Sequence, residues 1–114
     1  MITIYHNPMW SKSRKSVEIL KDKKIKFQII DYQKTKLSIK QLKNILEKLE
    51  LPIDNIIRKK DKLYKELGIK KIKDEHTILE MLSKNIKLLE RPIIVKDDQA
   101  VIGRPPEKLN KLFD

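Results

Sequence analysis

The chain has no cysteine in its 114 residues. It therefore has neither a disulfide framework nor a thiol nucleophile, and cysteine usage gives no indication of a redox compartment. Only 5% of the residues are aromatic, so stacking platforms for single-stranded nucleic acid are not evident. No window approaches the roughly 18 apolar residues of a membrane span, and the first residues lack a basic flank before an apolar run. We therefore expect a cytoplasmic protein that does not enter the membrane.

The composition is that of one small folded domain, which we take as residues 1–114. Apolar residues make up 39% of the chain in clear periodic segments, which argues against disorder although 38% of the residues are charged. The net charge is +11, but the lysines are spread along the chain and interleaved with Asp and Glu. This pattern favours a solvated lysine-rich surface over a nucleic-acid site. A charge-driven binder of nucleic acid or acidic surfaces is kept as an alternative.

Arginine is rare although the chain is basic. Of the 27 basic residues only four are arginines, and each lies within a motif rather than on a generic helix face: Arg14, Arg58, Arg91 and Arg104. The guanidinium group has a fixed planar fork that binds oxyanions bidentately, which an ammonium group lacks. An anion site explains the four positions together better than four unrelated ion pairs.

The periodicity of apolar residues predicts an α/β order with a helical middle. The predicted elements are a strand at 1–6, a helix from Ser11 or Ser13 to about Asp22, a strand at 26–32, a helix at 38–50, short helical segments at 52–57 and 62–67, a helix from Asp74 or Thr77 to about Asn85, a hairpin of strands at 92–95 and 99–102, and a final helix opened by Pro105. A β-α-β unit of this spacing favours two parallel strands. The order predicts a thioredoxin-like core, with a mixed four-stranded sheet built as β-α-β then β-β-α and a helical subdomain inserted at about 38–88.

Four motifs in order carry a family resemblance. Residues 6–14 read H-N-P-M-W-S-K-S-R, and this stretch resembles the H-N-P-x-C-x-x-S-R loop of the glutaredoxin-coupled arsenate reductases. Residues 56–68 contain I-I-R-K-K followed by Y-K-E-L-G, which is similar to the family's arginine loop and Y-x-E-L-G-L segment. Residues 90–95 resemble its R-P-I-V-V strand, and residues 100–107 its I-G-R-P-P-E turn. The resemblance covers nearly the whole chain.

The resemblance implies a mechanism. In that family a cysteine thiolate attacks arsenate, glutathione displaces the adduct, and glutaredoxin reduces the mixed disulfide to release arsenite. Three arginines hold the oxyanion and the thiolate, and by motif they correspond to Arg58, Arg91 and Arg104. The expected ligand is arsenate or a phosphate-like oxyanion, and the reductants are glutathione and glutaredoxin. No bound cofactor is expected.

By the same resemblance, other residues of the 6–14 motif have supporting roles in the active-site loop. His6 and Asn7 match positions that help to set the thiolate, and Ser11 belongs to the same loop. Ser13 and Arg14 close the loop against the first helix, whose N-terminal N–H groups suit an anion. The resemblance further implies that Pro92 follows a cis peptide bond beside this loop.

Trp10 occupies the position of the family's nucleophilic cysteine. An indole donates an N–H but has no nucleophilic lone pair and no thiol redox chemistry, so this residue is not competent. The hydroxyls of Ser11 and Ser13 are weak substitutes because they are poorly ionised near neutral pH. The sequence thus predicts a catalytically impaired family member that keeps its oxyanion-binding frame.

The sequence leaves one alternative function open and predicts no metal site. The alternative function is an Spx-type module that binds RNA polymerase, since such regulators share this fold. Against it, the thiol switch typical of those regulators falls here on Trp10 and Ser13. No metal site is expected, because His6 and His76 are too few and lack flanking cysteines or paired carboxylates.

Overall fold

Residues 2–6, 11–32, 34 and 36–113 are described by the computed structural model, with side chains for all of these except 11–13. The contacts between residues divide the chain into two units. Unit 1 comprises residues 1–35 and 91–114, and unit 2 comprises residues 36–90. The helical insertion predicted at about 38–88 lies within unit 2.

Unit 1 is built on a four-stranded sheet in the order β2-β1-β3-β4. Its strands are β1 (Ile2–His6), β2 (Phe27–Asp31), β3 (Ile93–Lys96) and β4 (Gln99–Ile102). β1 runs parallel to β2 after the crossover helix α1 (Ser11–Asp22), and antiparallel to β3, which pairs antiparallel with β4. The prediction of a mixed four-stranded sheet formed by β-α-β and β-β pieces is confirmed.

An apolar cluster joins the sheet to α1 and the C-terminal segment. Its buried members come from β1, α1, β3 and the C-terminal segment: Ile2, Ile4, Leu20, Ile94, Leu109 and Leu112. The two-residue turn of the β3–β4 hairpin contains Asp97 with a positive φ of 53°, a conformation that Asp tolerates better than most side chains.

The final helix differs in type from an ordinary α-helix. Residues Pro106–Phe113 form a 3-10 helix in which Pro106, Leu109 and Leu112 are buried. These positions are three residues apart, and a 3-10 helix has three residues per turn, so the three buried side chains lie along one side of it.

Unit 2 is helical. It contains α2 (Ile39–Leu49), α3 (Lys62–Glu66) and α4 (Glu75–Lys84), with 3-10 helices at Ile53–Ile56, Ile69–Lys71 and Ile86–Leu88. The last two 3-10 segments were not predicted. None of the helices among the described residues is long and apolar enough to cross a lipid bilayer.

Side-chain caps fix where the helices of unit 2 begin. Ser38 and Gln41 form a capping box at the start of α2, with Gln41 N–H donating to Ser38 Oγ at 3.1 Å and Ser38 N–H donating to Gln41 Oε1 at 2.8 Å. Asp74 caps α4 by accepting from the backbone N–H of Thr77 at 3.2 Å. The apolar faces of α2 and α4 pack together and bury Leu42, Ile45, Leu46, Leu49, Ile78, Leu79 and Leu82.

The core of unit 1 predicts a contrast between two leucines. Leu20 is fully buried, so Leu20→Ala should lower the free energy of unfolding by about 2–5 kcal/mol through lost burial and a cavity. Leu51 is 39% exposed, and Leu51→Ala should stay within about 0.5 kcal/mol of the unaltered protein. Urea denaturation of the three proteins measures both values, and equal losses for the two variants would contradict this packing.

Candidate functional site

The strand register gathers several predicted residues at one end of the unit 1 sheet. His6 closes β1 and pairs with Asp31 at the end of the parallel strand β2. On the other side Tyr5 lies opposite Ile93, the first residue of the antiparallel strand β3. The arginine that precedes β3 and the arginine that follows β4 therefore lie at the same end as His6.

Arg91 and Arg104 occupy similar local settings. Each precedes a proline through a cis peptide bond, Arg91–Pro92 and Arg104–Pro105. The first is the bond for which the family resemblance implies a cis geometry. The second was missed, since X-Pro bonds are usually trans and nothing in the sequence marks the exception. Arg91 is buried, with 4% of its surface exposed, and Arg104 is partly buried.

Gly103 connects the backbone next to Arg104 with the backbone next to Arg91. Its N–H donates a hydrogen bond of 2.8 Å to the carbonyl oxygen of Pro92. A Cβ atom at Gly103 would lie 2.8 Å from Ser16 Oγ, 2.9 Å from Pro92 Cγ and 3.0 Å from Ile94 Cδ1. These distances are below normal van der Waals contact, so glycine is required for the end of β4 to approach both α1 and β3.

His6 is a buried imidazole with charges of both signs nearby. Only 6% of its surface is exposed, and its Nδ1 has no hydrogen-bond partner within the part of the chain that the structure describes. Burial lowers the pKa of His6; the nearby carboxylate of Asp31 opposes this shift, and the positive charge of Arg14 adds to it. The imidazole is therefore held in its neutral form near neutral pH.

Arg58 lies in unit 2, at the end of a short antiparallel ladder. Ile57 and Leu89 form the bridge, Arg58 N–H donates to Leu88 O at 2.7 Å, and Glu90 N–H donates to Ile56 O at 2.8 Å. The ladder holds the backbone of residues 56–58 against that of residues 88–90.

Two carboxylates contact the guanidinium of Arg58. Its Nε lies 3.7 Å from Glu90 Oε1 and its Nη1 lies 3.8 Å from Asp61 Oδ2. Asp61 also caps α3 by accepting from Leu63 N–H at 2.9 Å, and it pairs with Lys87 Nζ at 3.6 Å. The hydrogen bond from Leu63 is the main cause that lowers the pKa of Asp61, with help from Lys87 and Arg58. The sequence analysis did not identify either carboxylate. Asp61 stands three residues after Arg58, and Glu90 begins the 90–95 segment that resembles the R-P-I-V-V strand.

Several residues of the predicted loop lie outside the described part of the chain. Asn7 and Trp10 lie outside the described residues, and so do the side chains of Ser11 and Ser13, whose backbones form the first turn of α1. Arg14 is exposed on α1. The structure thus brings His6, Arg91 and Arg104 to one end of the unit 1 sheet. It places Arg58 in unit 2, and the combined anion site stays a prediction.

The described residues contain no group of three or more His, Asp or Glu side chains placed to hold a metal ion. His76 is exposed on α4, where its Nε2 lies 3.0 Å from Glu80 Oε1. This contact joins two exposed side chains one helical turn apart.

Comparison with known proteins gives consistent results. The ArsC family model matches residues 5–112. The arsenate reductase of Haemophilus influenzae is 37% identical over 114 residues, which covers 98% of each chain. Among solved structures, an arsenate reductase from Vibrio cholerae superposes with a TM-score of 0.94 at 37% identity, covering 96% of this chain and 95% of that one. A putative arsenate reductase from Yersinia pestis gives a TM-score of 0.93 at 36% identity, covering 97% and 99%. These likenesses confirm the predicted fold class, an α/β fold with a thioredoxin-like core.

The buried imidazole predicts a pH dependence of stability. An unfolded histidine takes up its proton at a pH of about 6.5, whereas folded His6 does so only at lower pH. The stabilisation is complete above the unfolded pKa, so the free energy of unfolding should fall as the pH drops from about 7 toward 5, by at most about 1.4 kcal/mol per pH unit. His6→Gln should flatten this decline in urea titrations at each pH. The control His76→Gln, at an exposed position, should keep it. A His6→Gln profile parallel to the unaltered one would refute the assignment.

Proposed function

The chain belongs to the ArsC family, and from that premise we propose that it is an oxyanion-binding member that does not reduce arsenate by the family's thiol route. One observation carries the proposal: a chain that matches the family over residues 5–112 contains no cysteine. The thiolate that would attack arsenic is therefore missing from these 114 residues.

The proposed anion ligands are Arg58, Arg91 and Arg104. Lysine supplies all but four of the 27 basic residues, yet these three motif positions are arginine. Arg91 is buried, and a guanidinium in a poorly hydrated environment makes stronger charge-assisted hydrogen bonds to an oxyanion than an exposed one does. Arsenate and phosphate have the same charge and tetrahedral shape, so both are expected ligands.

The replacement at position 10 affects chemistry and binding differently. Reduction of arsenate to arsenite takes two electrons, which the family draws from a protein thiol and glutathione before glutaredoxin reduces the resulting mixed disulfide. An indole supplies neither the nucleophile nor the electrons. Binding of the tetrahedral anion by guanidinium groups needs no thiol, so it is retained in the proposal.

Restoring the thiol tests the proposal. With glutathione and glutaredoxin present, the unaltered chain should give no arsenite above the protein-free rate, and Trp10→Cys should give turnover. The matched control is Trp10→Ser, which removes the bulky indole without supplying sulfur and should stay inactive. Arsenite release measured over time separates the three proteins.

Each other outcome has a defined meaning. Activity of the unaltered chain would overturn the proposal, because some other group would then perform the chemistry. Inactivity of all three proteins would contradict an intact reductase frame and favour the alternative, a module that binds RNA polymerase.

Truncation of the proposed ligand side chains tests the proposal that the protein binds oxyanions. Arg58→Ala, Arg91→Ala and Arg104→Ala should each weaken phosphate and arsenate binding about tenfold or more, the usual loss for a hydrogen bond to a charged group. Lys43→Ala removes the same charge from an exposed position on α2 and should leave the affinity within about twofold. Isothermal titration measures these affinities, and Arg91→Lys, which keeps charge and bulk, shows whether the planar fork is needed. Unchanged affinity in all three alanine variants would refute the anion site.

A further inference from the structure

The carboxylates beside Arg58 create an unusual setting for an anion ligand. Side-chain exposure is 22% for Arg58, 20% for Glu90 and 17% for Asp61, so all three groups are partly buried. An oxyanion bound to this guanidinium would meet acceptor oxygens at close range. The chemistry of those oxygens then decides which anions fit.

Different contacts fix the two carboxylates. Asp61 Oδ1 accepts from Leu63 N–H at 2.9 Å and lies 3.6 Å from Lys87 Nζ, so this group is committed to capping α3. Glu90 is held by its backbone in the same ladder as Arg58, through its N–H bond to Ile56 O at 2.8 Å. It also directly precedes Arg91 in the chain. Asp61 N–H likewise donates to Arg58 O at 3.1 Å, so both carboxylates are fixed to the backbone around Arg58. Glu90 differs in that its carboxylate does not cap α3 and in that it adjoins a second proposed ligand, Arg91.

Tetrahedral oxyanions differ in the protons they keep. Near neutral pH phosphate and arsenate retain at least one O–H, whereas sulfate has none. An ionised carboxylate is an acceptor only, with about four lone-pair sites, so it can accept from an anion's O–H while it keeps its contact with Arg58. Sulfate would place an unprotonated oxygen against that carboxylate, which is repulsive.

We propose that Glu90 is a specificity-determining residue of the Arg58 anion site, where its carboxylate accepts the O–H of a protonated arsenate- or phosphate-like oxyanion and thereby excludes sulfate. This inference rests on the proposed function, because it requires Arg58 to bind the anion. A site that accepts a hydrogen bond from a ligand hydroxyl rejects an analogue that lacks the hydroxyl. The partly buried acceptor of the site then faces another acceptor instead of a donor.

Titration of phosphate, arsenate and sulfate at one ionic strength and neutral pH tests the inference. The unaltered protein should bind phosphate and arsenate at least about tenfold more tightly than sulfate, a modest part of the discrimination that such hydrogen bonds reach. Glu90→Gln is almost isosteric, and its amide N–H can donate to a sulfate oxygen. In that variant the ratio should fall to about twofold or less.

Two control variants separate this hydrogen bond from simple charge effects. Asp61→Asn neutralises the other carboxylate near Arg58 and still caps α3, so it should change the affinity for all three anions by the same factor. Asp54→Asn removes the exposed Asp54–Lys59 pair, which has a separation of 3.6 Å, and should change nothing. Thermal unfolding of each variant verifies that it is folded.

The outcomes distinguish this inference from the proposed function. If Arg58→Ala abolishes anion binding while Glu90→Gln keeps the preference over sulfate, the role of Glu90 is refuted and the anion site stands. An equal loss of preference in Asp61→Asn also refutes it, because the effect would be general electrostatics. If the unaltered protein binds none of the anions and Arg58→Ala behaves identically, the proposed function fails and the inference fails with it.

Discussion

The close approach at Gly103 is the constraint on which the candidate site in unit 1 depends. Because this residue has no side chain, the end of β4 lies against Ser16 of α1, against Pro92, and against Ile94 of β3. Its N–H bond to the Pro92 carbonyl then couples the backbone after Arg91 to the backbone before Arg104. Two arginines distant in sequence thus flank the same backbone contact.

In unit 2, different contacts position the third proposed arginine, Arg58. A short backbone ladder places Arg58 and Glu90 together, and the cap of α3 brings Asp61 to the same guanidinium. With Lys87 on Asp61, two cations and two anions alternate in this cluster, so the local charge is balanced although the chain carries +11. The excess of lysine is a property of the surface and says little about the candidate site.

Most of the architecture was predictable because it follows from periodicity and caps. The strand alternation of Ile2 and Ile4, the Ser38 cap of α2 and the hairpin at Asp97 are local signals, and the structure contains each of them. The final helix opened by Pro105 was also predicted, but its 3-10 winding over Pro106–Phe113 was not, because residues three apart share a face in either kind of helix.

The candidate site was predictable only in part. The arginines were found because they break a lysine-rich pattern, whereas Asp61 and Glu90 look like any other acidic residues of a charged chain. Their contact with Arg58 depends on the pairing of residues 56–58 with 88–90, a non-local feature that no local pattern encodes. The requirement for glycine at position 103 also arises from tertiary contacts, with side chains that lie far away in the sequence.

In the proposed function, anion recognition and thiol chemistry depend on different parts of the chain. The thiol step depends on one sequence position, where this chain has Trp10. The proposed recognition groups instead belong to two strand ends and a ladder, whose positions follow from backbone pairing. The same pairing holds the fold together, so the proposal expects these positions to be kept in a chain that lacks the thiol.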